Sequence, residues 1–187
     1  METTRTFISL NLDEPVKRKF AQVQNSVKEA LKEYVVKWEN PFKFHLTLRF
    51  LGDLNHAEIR DLVNELDKIN TGIDNIVFFS EAIGFFPNAR YPNVVFIDLR
   101  EKSDHLNKLL TEIDNTILEF GIKPDKKFVP HVTLGRFRRD KRQLLNTEIK
   151  LDVPITEVLF EEFFLMKSVL QQTGSEYEII KKYILNK

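Results

Sequence analysis

Two short runs alternate apolar and polar side chains around a histidine: FKFHLTLRFLG at His45 and FVPHVTLGRF at His131. A period of two marks a strand with one buried face. The chain therefore contains two strands built on one phrase, His-x-Thr-Leu, half a chain apart. In the first, Phe44, Leu46, Leu48 and Phe50 share one face, and His45, Thr47 and Arg49 share the other. In the second, Val132 and Leu134 point inward while His131 and Thr133 point out.

The rest of the chain mixes strands and helices. Residues 6–12 form a β-rich run. Asp13 then caps a helix over 13–33, with Val16, Phe20, Val23, Val27, Leu31 and Tyr34 at spacings of three and four. Residues 35–38 suit a short strand. Asn55 and Glu58 form a capping box before Ile59, Leu62, Val63, Leu66 and Ile69. Strands at 76–84 and 94–99 flank the turn-rich FFPNARYPN. Ser103 is the expected cap of a third helix with Leu106, Leu109, Leu110, Ile113 and Ile117 inward and Gly121 at its end. Residues 138–152 are polar and charged and suit a loop with a short helix. Residues 154–167 and 176–185 read as a closing strand pair around QQTGS, with no crossover helix between them. That favours an α+β class with antiparallel sheet. No linker is visible, so residues 1–187 read as one domain.

Composition narrows the chemistry. The chain of 187 residues has no cysteine, which removes disulfides, thiolate catalysis and cysteine-ligated metals. Lys+Arg and Asp+Glu both number 28, so no general grip on a polyanion is expected. No window approaches the length of a membrane helix, and the N-terminus lacks a signal-peptide run, so the expectation is a cytoplasmic protein without a membrane partner.

Each phrase presents an imidazole and a hydroxyl on one face. If the two strands face each other across a pseudo-twofold, both pairs share one cleft. Imidazole titrates near neutrality, so one ring can take a proton from water while the other gives one to a leaving alkoxide. The threonine hydroxyls can donate to non-bridging oxygens. A phosphodiester needs these functions together, without a metal, cofactor or covalent intermediate. The chain has eleven threonines among its 187 residues and only four histidines. Threonine at i+2 after two of four histidines is roughly a 2% accident, and leucine after both lowers that by about a hundredfold. The plainer readings are a solvent-facing polar pair or a zinc site, but HxH and HExxH spacings are absent.

On these residues the chain resembles the 2H phosphoesterase superfamily, and within it the RNA 2′,3′-cyclic phosphodiesterases, also called 2′-5′ RNA ligases. The resemblance extends through TFISLNLDEPVK, HLTLRFLGDL, IGFFPNARYPNVVFIDL, FVPHVTLGRF and SVLQQTGSEYEII. It implies a bilobal α+β fold of two antiparallel sheets with outer helices and a central cleft. It implies opening of an RNA 2′,3′-cyclic phosphate to a 2′-phosphomonoester, with reversible 2′-5′ ligation as a side activity. By position it makes His45 the proton donor and His131 the proton acceptor, with Thr47 and Thr133 on the phosphate. The two phrases are too alike for the residues themselves to make that assignment.

The resemblance also implies an arginine five positions after the second histidine, here Arg136; Gly135 suits a bulge that would turn it to the cleft, and the readings are a phosphate contact or a surface ion pair. Phe86 and Tyr177 are candidates to stack a terminal base, whereas Phe85 suits the core. Lys123, Lys126, Lys127, Arg136, Arg138, Arg139, Lys141 and Arg142 cluster near the second phrase, either as a solvated face or as a rim guiding RNA. His56 and His105 are expected at the surface. The competing functions are a cyclic phosphodiesterase for a small nucleotide, such as ADP-ribose 1″,2″-cyclic phosphate, and a non-catalytic RNA-end binding module. A monomer is the expected state.

Overall fold

The structure is a computed structural model that describes residues 2–69, 72–124, 128–138, 143–146, 151–171 and 174–185. The elements run β1 (Thr3–Asn11), α1 (Glu14–Ala30), β2 (Val36–Trp38), a 3-10 turn (Pro41–Lys43), β3 (His45–Asn55), α2 (His56–Leu66), β4 (Ile76–Phe86), β5 (Val94–Glu101), α3 (His105–Glu119), β6 (His131–Phe137), β7 (Glu157–Phe160), β8 (Glu162–Gln171) and β9 (Gly174–Ile184). One sheet has the order β3-β1-β8-β9 and the other β2-β6-β5-β4-β7, with every pair antiparallel. The α+β class read from the sequence holds.

Local signals account for most helix boundaries. The Asp13 carboxylate accepts the Val16 amide at 2.8 Å and starts α1. Asn55 Oδ1 accepts the amides of Ala57 and Glu58 at 2.9 and 3.0 Å, and the Glu58 carboxylate accepts the Asn55 amide at 2.7 Å. Gly121, with φ of 71°, takes the left-handed position after α3 while Ile122 N–H donates back to the Ile117 carbonyl. The cap on α3 differs from expectation. Ser103 donates to Glu101, and it is the Glu101 carboxylate that accepts the Leu106 amide at 2.8 Å. A carboxylate beside the helix N-terminus also gains from the dipole, which explains why it displaces the hydroxyl.

The strand expected over 154–167 is two strands in different sheets. β7 pairs with β4 and alternates cleanly, whereas β8 pairs with β1 and buries four consecutive residues, Phe163 to Met166. An interior strand covered on both faces loses the alternation that marks a half-exposed one. The turn QQTGS lies partly outside the described residues, as do Lys126, Lys127, Arg139, Lys141 and Arg142.

One continuous apolar core joins the two sheets to the inner faces of the helices, including Phe20, Leu46, Phe78, Ile113, Val132 and Leu165. A second, smaller cluster of Phe7, Phe164 and Met166 lies on the other face of β1 and β8, with Tyr177 packed against it.

Candidate active site

The two histidine phrases lie in different sheets, not on adjacent strands. β3 is an edge strand of the first sheet, and β6 is interior in the second, between β2 and β5. The chain itself brings them together. β2 pairs with β6, and only the short 3-10 turn separates it from β3. The buried side-chain amide of Gln24 in α1 locks this crossing, donating to the carbonyls of Glu39 and Leu134 at 2.8 and 2.9 Å. As a result His45, Thr47, His131, Thr133 and Arg136 line one cleft of about 600 Å³.

The two phrases repeat each other in their pairing. Ser9 faces Thr47 and Ile8 faces Arg49, so Leu48 is an extra residue on β3. Phe96 faces Thr133 and Val95 faces Gly135, so Leu134 is extra in the same place on β6. Each phrase ends in a bulge that flips the alternation. In β6 the bulge turns Arg136 out to the cleft, as the glycine suggested. In β3 it overturns the simple reading of the sequence. Arg49 leaves the histidine face and is only 5% exposed, and Phe50 comes to the cleft at 61% exposure. Arg49 instead meets Asp114 of α3 through Nε at 2.6 Å and a second N–H at 2.8 Å. Phe50 thus occupies in one lobe the place of Arg136 in the other. Aligning the two phrases at their histidines would have revealed it, since both residues stand five positions on.

Each imidazole is oriented by the backbone two residues upstream. His45 Nδ1 donates to the Lys43 carbonyl at 2.8 Å, and His131 Nδ1 donates to the Val129 carbonyl at 2.7 Å. That fixes the neutral tautomer in both rings with Nε2 as the free base. His45 Nε2 lies 3.0 Å from the Thr47 hydroxyl. Aromatic rings brace both histidines. Phe7 and Tyr177 contact His45 at centroid distances of 5.2 Å, and Phe86 and Phe96 contact His131 at 5.0 and 5.1 Å. Phe86 is committed to this packing, with a face stacked on Phe96 at 4.2 Å, whereas Tyr177 lines the cleft. Phe85 packs against the main core.

Burial under these rings pushes the His45 pKa down to about 4, and the positive charge of Arg136 and the neighbouring His131 push the same way. His131 is lowered too, by burial first and by Arg136, while Asp98 opposes the shift. Arg136 has a counterion in Glu39 at 3.4 Å, and Lys43 pairs with Glu176 at 2.8 Å across the cleft rim. His56 is exposed. His105 is half-buried rather than superficial, with Nδ1 on the Asn75 carbonyl at 3.1 Å. No three His, Asp or Glu side chains among the described residues are grouped to hold a metal ion. No helix among them is long and apolar enough to cross a membrane.

Gly84 supports the site from below. It faces Phe96 across the β4–β5 ladder, and a Cβ there would overlap the Phe96 ring. Phe96 is wedged between Phe86 and His131 and cannot swing clear. Gly84→Ala is expected to cost about 1–3 kcal/mol, read as a lower urea midpoint, and to lower turnover by moving His131. An unchanged midpoint would mean that the ring has room to move.

A family model described as LigT like Phosphoesterase matches residues 10–96 and 97–174. An RNA 2′,3′-cyclic phosphodiesterase of Thermotoga maritima is 30% identical over 179 residues, covering 94% of this chain and 92% of the relative. One of Methanocaldococcus jannaschii is 30% identical over 182 residues, covering 96% and 99%. A crystal structure from Thermus thermophilus matches with a TM-score of 0.77 at 25% identity over 97% of both chains. Escherichia coli LigT complexed with 3′-AMP shares the fold, with a TM-score of 0.75 at 19% identity over the whole of both chains. With two matched segments that meet between β5 residues Phe96 and Ile97, and a doubled His-x-Thr-Leu phrase in one cleft, the chain belongs to the LigT-like phosphoesterases of the 2H superfamily.

Proposed function

We propose that this protein opens 2′,3′-cyclic phosphate ends of RNA to 2′-phosphomonoesters by general acid–base catalysis between His45 and His131. The observation that carries the reading is the convergence of two tautomer-locked imidazoles, two threonine hydroxyls and one arginine on a single cleft. The names of the relatives from Thermotoga and Methanocaldococcus supply the substrate class.

In this mechanism the cyclic phosphate sits between the rings. Thr47 and Thr133 donate to its non-bridging oxygens, and Arg136 leaves Glu39 to meet the negative charge. His131 Nε2 takes a proton from water, and the water oxygen attacks phosphorus. The bond from phosphorus to O3′ breaks, and the proton on His45 Nε2 goes to that oxygen. The bound anion counters the effects that hold the His45 pKa low, so the ring is charged when it is needed. A ribose 5′-hydroxyl in place of water would give a 2′-5′ linkage. Phe50, exposed on the cleft wall, is the platform for the terminal base.

The deciding experiment incubates the protein with an oligonucleotide ending in a 2′,3′-cyclic phosphate, in EDTA. Turnover to the 2′-phosphate supports the reading. Binding without turnover makes the protein an RNA-end binding module, and loss of turnover in EDTA requires a metal. ADP-ribose 1″,2″-cyclic phosphate in a parallel reaction tests the small-nucleotide alternative, which a higher kcat/KM than that for RNA would establish.

Two substitutions probe the cleft walls. Arg136→Gln removes a charge that lowers the pKa of both histidines, so both must rise and the kcat/KM profile must shift to higher pH. KM should also increase as a phosphate contact is lost. A profile and KM matching the wild type would remove Arg136 from the site. Phe50→Ala should weaken binding of the RNA end by about 1–3 kcal/mol, read as KM, with little change in kcat. A KM unchanged within twofold would exclude base stacking there.

A further inference from the structure

The residues opposite the two histidines break the symmetry of the site. Across the β1–β3 ladder, Asn11 faces His45; across the β5–β6 ladder, Asp98 faces His131. The bulges fall at matching places in both ladders, so Asn11 and Asp98 are equivalent positions of the two lobes. Directly opposed residues of an antiparallel pair share a face and stand in close contact range. One histidine therefore has a neutral amide beside it and the other a carboxylate.

We propose that Asp98 is the positioning residue that makes His131 the base of the pair, by stabilising the imidazolium that forms when His131 takes the proton of water. This rests on the function proposed above. The carboxylate acts through space, because His131 Nδ1 is already given to the Val129 carbonyl. Its effect resembles that of a buried aspartate behind a catalytic histidine, which stabilises the imidazolium without itself taking the proton. His45, with only the Asn11 amide opposite, holds a proton weakly and gives it up readily to the leaving O3′. The Asn11 amide is itself held, accepting the Ser9 hydroxyl at 2.9 Å and directing its N–H toward Met166 Sδ at 3.8 Å.

Every element packed on His131 enters this balance. Arg136 on its own strand opposes protonation, and Asp98 on β5 favours it. Phe96 of β5 and Phe86 of β4 are uncharged, and His45 lies across the cleft. Glu81 of β4 acts on Asp98 but is paired with Arg100 at 2.7 Å. Burial holds the Asp98 pKa above its usual value, and His131 draws it back down. Asp98 is thus the carboxylate in direct register with a histidine of the site.

The test is an NMR titration of the histidine C2 protons in the ligand-free protein, with His131→Gln used for assignment, beside pH profiles of kcat and KM. Asp98→Asn is expected to move the His131 titration down by about one pH unit and to lower kcat about three- to tenfold, leaving KM unchanged. Asp98→Glu should restore both, and Asn11→Asp should move the His45 titration up. An unmoved His131 titration in Asp98→Asn overturns the proposal, as does an Asp98→Glu variant no better than Asp98→Asn. If the wild type fails to open the cyclic phosphate, the functional reading fails by itself, and the titration still decides whether Asp98 governs His131.

Discussion

Alanine at His131 is expected to lower kcat for opening an RNA 2′,3′-cyclic phosphate by about 10²–10⁴-fold, with KM nearly unchanged. In the proposed mechanism water is a poor nucleophile until a base removes its proton, and His131, whose Nδ1 is held by the Val129 carbonyl, presents Nε2 as that base. Alanine at His45 should cost as much on the same cyclic phosphate, because O3′ leaves as an alkoxide unless it is protonated. The two losses should not be additive, since in the proposed mechanism both rings serve one transition state. A p-nitrophenyl phosphodiester separates the roles. Its leaving group needs no proton, so His45→Ala should recover most of its activity there and His131→Ala none. The reverse pattern would exchange the acid and the base, and either single variant within tenfold of wild type on the cyclic phosphate would remove that histidine from catalysis.

The second large effect concerns stability. Asp114→Ala should destabilise the fold by about 3 kcal/mol, measured from urea unfolding. Arg49 is almost fully buried, and its guanidinium depends on a two-point pair with Asp114 and a 2.7 Å bond to the Leu48 carbonyl. Removing the carboxylate leaves a buried cation without its partner. Because Asp114 keeps some solvent contact, the loss belongs at the lower end for broken buried pairs. The matched double replacement Arg49→Met with Asp114→Leu should restore most of the stability, since it buries no charge. A loss below 1 kcal/mol in Asp114→Ala would show that water reaches Arg49 when its partner is removed.

Arg49 also shows where reading a strand from its alternation stops. The parity of the phrase is right from Phe44 to Leu48 and inverted from Arg49 to Leu51, because Leu48 enters β3 as an extra residue opposite β1; a second extra residue, Leu51, flips it back. A bulge carries a recognisable signal when a glycine marks it, as Gly135 does in β6. In β3 the equivalent position is Arg49, and nothing in its side chain announces the change. The boundary between β7 and β8 was hidden for a related reason. A chain that passes from the edge of one sheet to the interior of the other keeps its β character throughout, so only the pairing partners separate the two strands. Asp98 had no local signal at all. Its place beside His131 depends on the register between β5 and β6, which are separated by a whole helix.

Sequence alone determined that two strands carry an imidazole and a hydroxyl on a common face, that amphipathic helices cover an α+β core, and that cysteine chemistry is absent. Those properties follow from side-chain periodicity and residue type, which are local. The tertiary structure decided that the phrases meet, through the short turn that carries the chain from β2 beside β6 into β3. It also decided that Phe50 rather than Arg49 faces the cleft, and that one histidine stands against an amide and the other against a carboxylate. These depend on register and on bulges, where one residue more or less reverses a face, and that count is set by the partner strand.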